Sequence, residues 1–194
     1  MFQRFKDFFN VEDIFKNTPY DVELTLDVPE DVKEFLYKYE GMTFGEGLYR
    51  IHKLEEIEKW NKIVTDVYTE FQGWVHCFGY DWLGRQFAIN FKSTSNNRPL
   101  ILMFEPGTAD VLEIPCNFVD FHEEEITEYH DACLASSFFK QWVTEVDNNA
   151  LESSKCVGYK IPLFLGGEDN ISNLELSDME VYWSIYSELI TKTK

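Results

Sequence analysis

Four stretches of aromatic and β-branched residues follow one another at short spacing in the middle of the chain. They are residues 74–80, 85–91, 99–104 and 111–114. Such residues suit the pleated surface of a β-sheet. The turn sequences Asp81-Trp82-Leu83-Gly84 and Pro106-Gly107-Thr108 separate the first and the last pair, and a polar loop, residues 93–98, lies between the pairs. Because parallel neighbours need a crossover of about a dozen or more residues, these short connections predict an antiparallel meander.

Apolar residues at helical spacing lie on both sides of this region. The predicted helices are residues 2–15, 27–40, 54–67, 132–146 and 179–190, together with a helix that ends at Tyr129 and is capped by either Asn117 or Asp120. Residues 156–165 are apolar and predicted to be extended, and the polar residues 147–155 predict a linker. We therefore predict an α/β (α+β) fold, in which helices surround a central, mainly antiparallel sheet.

The chain is strongly acidic, which excludes two classes of partner. It carries 17 Lys and Arg against 35 Asp and Glu, a formal net charge of −18. A nucleic-acid-binding protein needs a basic face to displace counterions from phosphates, and an anionic membrane surface attracts basic residues. With 44% hydrophobic and 16% aromatic residues, the chain can still build a core. We expect no direct contact with nucleic acid or membrane.

Three features that the sequence lacks indicate the cellular location of the protein. No apolar run approaches the ~18 residues of a membrane-spanning helix. Charges at Arg4, Lys6 and Asp7 interrupt the N-terminal sequence, unlike a secretory signal. The four cysteines form no CxxC pair. We expect a cytoplasmic protein with reduced thiols.

The acidic residues are concentrated in two windows that contain no Lys or Arg. The first is residues 99–139, with nine carboxylates, and the second is residues 161–191, with six. If the windows fold side by side, they make one negative face that steers a basic partner into encounter. The alternative interpretation is a solvated surface that keeps the protein soluble.

Candidate catalytic motifs are weak. His122, Glu125 and His130 include metal-binding residue types, but the sequence around them is not HExxH. Gly166-Gly167 precedes two acids, which would repel a phosphate, so we expect a tight turn there. No GxSxG motif occurs. We predict no catalytic residue, no metal, no cofactor and no enzymatic activity.

The turn Asp81-Trp82-Leu83-Gly84-Arg85 is dense in charged and aromatic residues. We predict that Arg85 pairs with Asp81 and that Trp82 packs in the core. The alternative is that the charged pair lines a surface for a partner.

Longer strings resemble a known group of proteins. The matching strings are Gly47-Leu48-Tyr49-Arg50-Ile51, Asp81-Trp82-Leu83-Gly84-Arg85-Gln86-Phe87-Ala88, Leu102-Met103-Phe104-Glu105-Pro106-Gly107-Thr108, Leu112-Glu113-Ile114-Pro115-Cys116, residues 156–169, Asn173-Leu174-Glu175 and Val181-Tyr182-Trp183. In this order, over about residues 25–190, they resemble a GAD-like domain followed by the C-terminal module of immunity proteins against type VI secretion DNase effectors. These proteins are similar in turn to the wider SUKH group.

The resemblance implies a protein that binds a cognate toxin and neutralises it. It implies a GAD-like domain at 25–116 and an immunity module at 117–194, fused into one compact unit. Residues 1–24 lie outside the resemblance, and their aromatic spacing predicts an N-terminal helical extension. The expected partner is a basic nuclease domain. Together with the acidic windows, this predicts partner contacts at Glu123, Glu124, Glu125, Glu128, Glu168 and Asp169.

Two other functions stay open at this point. One is a small acidic, metal-dependent hydrolase that uses His122 and Glu125. The other is an interaction scaffold that has no toxin. Six residues of the strings are predicted to be scaffold rather than contact, because buried aromatic residues dominate the energetics of a core. They are Leu48, Tyr49, Trp82, Phe104, Tyr159 and Trp183.

Overall fold

The computed structural model describes residues 1–11, 28–95, 97–146 and 151–193. The strands are β1 (Thr43–Phe44), β2 (Tyr49–Ile51), β3 (Val75–Asp81), β4 (Gln86–Ser95), β5 (Arg98–Glu105), β6 (Asp110–Asn117), β7 (Lys155–Tyr159) and β8 (Leu174–Asp178). The helices are α1 (Gln3–Phe9), α2 (Glu30–Tyr39), α3 (Ile57–Val67), α4 (Phe118–Asp120), α5 (Ile126–Glu128), α6 (His130–Leu134), α7 (Ser136–Val146) and α8 (Met179–Thr193). A π-helical turn, Phe121–Glu125, joins α4 to α5.

Six strands form one antiparallel sheet in the order β1-β2-β3-β4-β5-β6. The predicted meander and the predicted fold class are therefore confirmed. The polar loop predicted at 93–98 was wrong in extent, because Thr94 pairs with Pro99 and Ser95 with Arg98 after a register shift. Backbone pairing continues the hairpin into solvent even though its side chains are polar.

The central strands of the sheet, β3 to β5, are buried on both faces over most of their length. One face carries Phe87, Ile89, Ile101 and Met103 and is covered by α1, α2 and the helices after β6. The other carries residues such as Cys77, Ala88, Leu102 and Phe104 and is covered by α3 and α8. Alternate residues of β4 and β5 thus enter opposite cores, as the two-residue period of a strand requires. We call these the α1 face and the α3 face.

The C-terminal strands β7 and β8 form a separate antiparallel pair that is bonded to the main sheet. Val157 N–H donates to Trp82 O at 2.7 Å. The buried Arg50 guanidinium donates to Lys155 O at 2.6 Å and to Glu152 O at 3.0 Å. The extended stretch predicted at 156–165 is shorter, since the strand ends at Tyr159 and a 3-10 turn follows at Leu163–Leu165.

The helix predicted over 132–146 is two helices that break at Ala135, whose backbone is left-handed (φ 49°, ψ 45°). Two carbonyls at the end of α6 are taken by side chains from the sheet. Trp82 Nε1 donates to Leu134 O at 2.9 Å, and Arg85 Nη2 donates to Cys133 O at 3.1 Å. Asp131 Oδ1 then accepts from Ser137 N at 2.7 Å at the start of α7.

The first helix is shorter than predicted and ends at Phe9, where Asn10 adopts a left-handed conformation. Its predicted continuation to Phe15, the predicted start of the second helix at Asp27 and residues 147–150 of the predicted linker lie outside the described residues. The last helix begins at Met179 as predicted, with Asp178 Oδ1 accepting from the backbone of Glu180 at 3.1 Å.

Candidate functional site

The first group of predicted contact residues lies on the helical segment that follows β6. Asn117 begins this segment, because its Oδ1 accepts from Val119 N at 2.9 Å and from Asp120 N at 3.2 Å. Phe118, Phe121, His122 and Ile126 are turned into the core of the α1 face. The four glutamates Glu123, Glu124, Glu125 and Glu128 are therefore left at the surface, with Glu124 and Glu128 exposed and the other two half-buried. We call these four residues the helical acidic group.

Helix α1 lies directly against the helical acidic group. The Arg4 guanidinium forms an ion pair with Glu128, and Arg4 N–H donates to Glu123 Oε2 at 3.4 Å. Phe5 of the same helix is fully buried, so the contact is anchored by the core. Arg4 thus contacts this group at Glu123 and Glu128. Sequence spacing gave no sign of this pairing across more than a hundred residues.

The second group, Glu168 and Asp169, lies in the loop between β7 and β8. Asp169 Oδ1 accepts from the Tyr159 hydroxyl at 2.7 Å, and Glu168 Oε2 accepts from Asn170 Nδ2 at 2.7 Å. Both residues are exposed. Burial, followed by the hydrogen bond to Asp169, raises the pKa of Tyr159, which keeps this hydroxyl a donor. Both carboxylates are therefore held in place but face solvent.

The two acidic groups occupy different elements. One lies on the segment packed against α1, and the other lies beside the β5–β6 turn, where Leu163 N–H donates to Gly107 O at 2.9 Å. No hydrogen bond or ion pair joins the two groups in the part of the chain that the structure describes. A single continuous negative face made of both windows thus stays a prediction.

The predicted Asp81–Arg85 pair is confirmed and is buried. Arg85 Nε donates to Asp81 Oδ2 at 2.6 Å, and Asp81 Oδ1 accepts from the backbone N–H groups of Leu83 and Arg85, each at 3.0 Å. Glu105 joins from β5, with its Oε2 3.6 Å from Arg85 Nε, and burial raises the pKa of Glu105 to about 7. Because all three side chains are enclosed, the cluster is structural and does not line a partner surface.

The six string residues that were predicted to be scaffold are buried. Tyr49, Trp82, Phe104 and Trp183 are fully enclosed, and Leu48 and Tyr159 are also buried. One of them connects helix α8 to the turn between β3 and β4, since Trp183 Nε1 donates to Gly84 O at 2.8 Å. Gly166 (φ 88°) and Gly167 form the predicted tight turn, closed by Gly167 N–H donating to Pro162 O at 3.0 Å.

His122 does not serve as a metal ligand in this arrangement. It is fully buried, its Nδ1 lies 2.8 Å from Phe118 O and its Nε2 lies 2.9 Å from the Tyr49 hydroxyl. Both ring nitrogens are thus committed to the core, while Glu125 lies at the surface. No three His, Cys, Asp or Glu side chains converge as a metal site within the described ranges. The geometry gives the metal-dependent hydrolase no support.

The described residues include no helix that is both long and apolar enough to cross a membrane. The four cysteines are free thiols, three of them buried.

Comparison with a solved structure supports the fold. The crystal structure of Atu4351 from Agrobacterium tumefaciens superposes with a TM-score of 0.61 at 15% sequence identity, over 97% of this chain and 89% of that chain. The search of curated proteins found no match.

Two family models match consecutive parts of the chain. Residues 117–190 match the model described as T6SS immunity protein Tdi1, C-terminal. Residues 21–124 match the SMI1 / KNR4 family (SUKH-1). Together they indicate a type VI secretion immunity protein of the SUKH type. Because the second match alone spans more than half of the 194 residues, the chain belongs to the SMI1 / KNR4 (SUKH-1) family.

Proposed function

We propose that this protein binds and neutralises a cognate bacterial nuclease toxin, a DNase delivered by type VI secretion, inside the cytoplasm. The observation that carries the proposal is a net charge of −18 on a chain whose C-terminal part matches a type VI immunity protein. A DNase must be basic where it grips the phosphate backbone. An acidic protein surface competes for that groove, and no bond chemistry is needed from the inhibitor.

The proposed contacts are the helical acidic group together with Glu168 and Asp169. Glu124 is the most available residue of the first group, because it is exposed and Arg4 pairs with Glu128 instead. Glu168 and Asp169 are supported from behind by Asn170 and Tyr159, so little side-chain freedom is lost when a partner binds. Arginine and lysine side chains of the toxin would meet these carboxylates as charge-assisted hydrogen bonds.

Co-expression tests the proposal directly. Candidate nuclease toxin domains are each expressed in a bacterial host with and without the protein. We expect growth to be restored and cleavage of plasmid DNA by the purified nuclease to stop at equimolar protein. A protein that neither binds the nuclease nor protects the host would instead be a toxin-independent scaffold. Turnover of a substrate by the purified protein alone would contradict the absence of chemistry.

Salt is expected to slow the association of the two proteins. Raising ionic strength from about 50 mM to about 500 mM shortens the Debye length several-fold, so electrostatic steering is screened. We expect the association rate constant to fall at least about tenfold while the dissociation rate constant changes much less. Stopped-flow fluorescence or biosensor kinetics at several salt concentrations measures both rates. A rate constant that does not depend on salt would contradict electrostatic steering and leave binding itself intact.

Matched charge variants locate the steering surface. Glu124→Gln with Glu125→Gln removes two charges from the α1 face, and Glu55→Gln with Glu58→Gln removes two exposed charges near the start of α3, on the other face. Net charge changes equally in both double variants. At low salt we expect the first to slow association about threefold or more and the second to change it much less. Equal effects would mean that net charge, rather than this surface, steers the encounter.

A further inference from the structure

The connection between β7 and β8 is a compact loop whose ends meet. Lys160 N–H donates to Asn173 O at 2.7 Å, and Lys160 Nζ donates to Ser172 O at 2.8 Å. Compact surface loops with closed ends are frequently functional. We call residues 160–173 the 160–173 loop.

The 160–173 loop is held by one buried amide side chain. Asn173 Nδ2 donates to Ile161 O and to Glu168 O, each at 2.9 Å, and its Oδ1 accepts from Ile161 N at 3.0 Å. A Cβ on Gly167 would lie 2.0 Å from Ile161 O, so the two sides of the loop approach as closely as glycine permits. The loop is thus fixed before any partner binds.

This fixed loop presents aliphatic side chains to solvent. Ile161 is 55% exposed and Leu165 is 47% exposed, although Leu163 and Phe164 between them pack on the two cores. Residues 161–165 thus include two large apolar side chains, Ile161 and Leu165, that are not buried in the core. Exposed apolar groups with a polar rim mark interaction surfaces.

Carboxylates outnumber basic side chains around these residues. Glu168 and Asp169 lie in the same loop, Glu175 follows on β8, and the sequence has no Lys or Arg from Ile161 to Thr191. The nearest base, Lys160, is occupied in closing the loop. The complementary surface is therefore an apolar spot surrounded by Arg and Lys.

We propose that the 160–173 loop is the anchor that docks the toxin, with Ile161 and Leu165 inserted into an apolar spot of its nuclease domain and Glu168 and Asp169 pairing with the basic rim. This inference rests on the proposed function and adds the source of affinity to it. Carboxylates speed the encounter, but desolvated apolar side chains at the centre of an interface carry most binding energy. A rigid loop also loses little entropy on docking.

The test measures the affinity of loop variants for the nuclease domain of the toxin that the co-expression experiment identifies, inactivated so that it can be purified. We expect Ile161→Ala and Leu165→Ala each to raise Kd about tenfold, and the double variant about a hundredfold, chiefly through faster dissociation. Val181→Ala is the matched control, since Val181 is 54% exposed and lies outside the loop on α8. It should leave Kd unchanged within about twofold. Circular dichroism and thermal melting confirm that all variants are folded.

Each result separates the loop from the proposed function. If the unaltered protein fails to bind or inhibit the nuclease, the proposed function is wrong. If the unaltered protein binds and the double variant binds within about twofold, the function stands and the loop inference is wrong. If the double variant instead turns a dimer of this chain into a monomer at unchanged Kd, the loop joins two copies and the inference is also wrong.

Discussion

Replacing Arg85 with alanine is expected to lower the free energy of unfolding by about 3–5 kcal/mol. Arg85 is the cation that lies between two buried carboxylates, Asp81 and Glu105. Without it, Asp81 remains enclosed with its charge uncompensated, and Cys133 O at the end of α6 loses its donor. Removing one partner of a buried ion pair costs far more than the pair contributes, because the other charge is left desolvated. Equilibrium unfolding in urea at pH 7.5 measures the change.

Two controls separate this cause from general loss of packing. Lys59→Ala removes one partner of an exposed ion pair, Lys59–Glu180, and should cost less than about 1 kcal/mol. Adding Asp81→Asn and Glu105→Gln to Arg85→Ala removes the uncompensated charges and should recover part of the stability. A loss under about 1 kcal/mol for Arg85→Ala alone, or no recovery in the triple variant, would contradict the account.

One contact of this cluster was predictable from the sequence, and another was not. Spacing of four residues across a turn predicted the Asp81–Arg85 pair, and the aromatic Trp82 was correctly expected in the core. Glu105 was not predicted, because it arrives from a strand twenty residues later and only the register of the β-sheet brings it to Arg85. Sequence spacing predicts pairs of residues that are close in the chain, whereas pairs across a sheet depend on the register of its strands.

The meander was predictable because it, too, depends on residues that are close together in the sequence. Its strands are consecutive, its turns are short, and continuous apolar runs such as residues 100–104 fit strands that are covered on both faces. The break at Ala135 was not predictable, because nothing in the helical pattern of 132–146 marks it. The break follows from Trp82 and Arg85, which take the carbonyls of α6 from a different element. Strand β8 was missed because its exposed Glu175 and Leu176 obscure the apolar pattern.

The sequence predicted which acidic residues could form the candidate surface, but not which of them are exposed and which pair with other residues of the protein. Basic-free windows identified which glutamates and aspartates could form an acidic surface. The pairing of Arg4 with Glu128 depends on where α1 docks, and this is decided by the burial of Phe5 rather than by charge. The exposed Ile161 and Leu165 resembled core residues in the sequence. Only the folded loop reveals that they remain in solvent.

Acid is expected to destabilise the protein through its buried histidines. Burial lowers the pKa of His52 to about 3, of His76 to about 4 and of His122 to about 3. Each pKa lies below the unfolded value of about 6.5, so the unfolded chain takes up protons that the folded chain refuses. Their contribution is fully present above pH 6.5 and is lost as pH falls towards 3 or 4. Glu105, with its raised pKa, acts in the opposite sense below pH 7.

The variant His122→Gln isolates one of these contributions. Between pH 7 and pH 5, we expect its loss of stability to be about 2 kcal/mol smaller than that of the unaltered protein. His122 suits this test because its surroundings disfavour the charged ring. Protonation would place a hydrogen on Nε2, which lies 2.9 Å from the Tyr49 hydroxyl. The centroid of the Phe35 ring lies 4.2 Å from that of His122. Urea unfolding at half-unit pH steps gives the two curves.

Phe121→Leu is the control for His122→Gln, because it disturbs the same aromatic cluster without removing a titratable group. It should lower stability at every pH by a similar amount and leave the slope against pH unchanged. The comparison therefore depends on slopes rather than on absolute stability, which both variants are expected to lower. Parallel curves for His122→Gln and the unaltered protein would mean that His122 binds its proton equally in the folded and unfolded chain. That result would contradict the claim that the buried His122 side chain stays neutral in the folded protein.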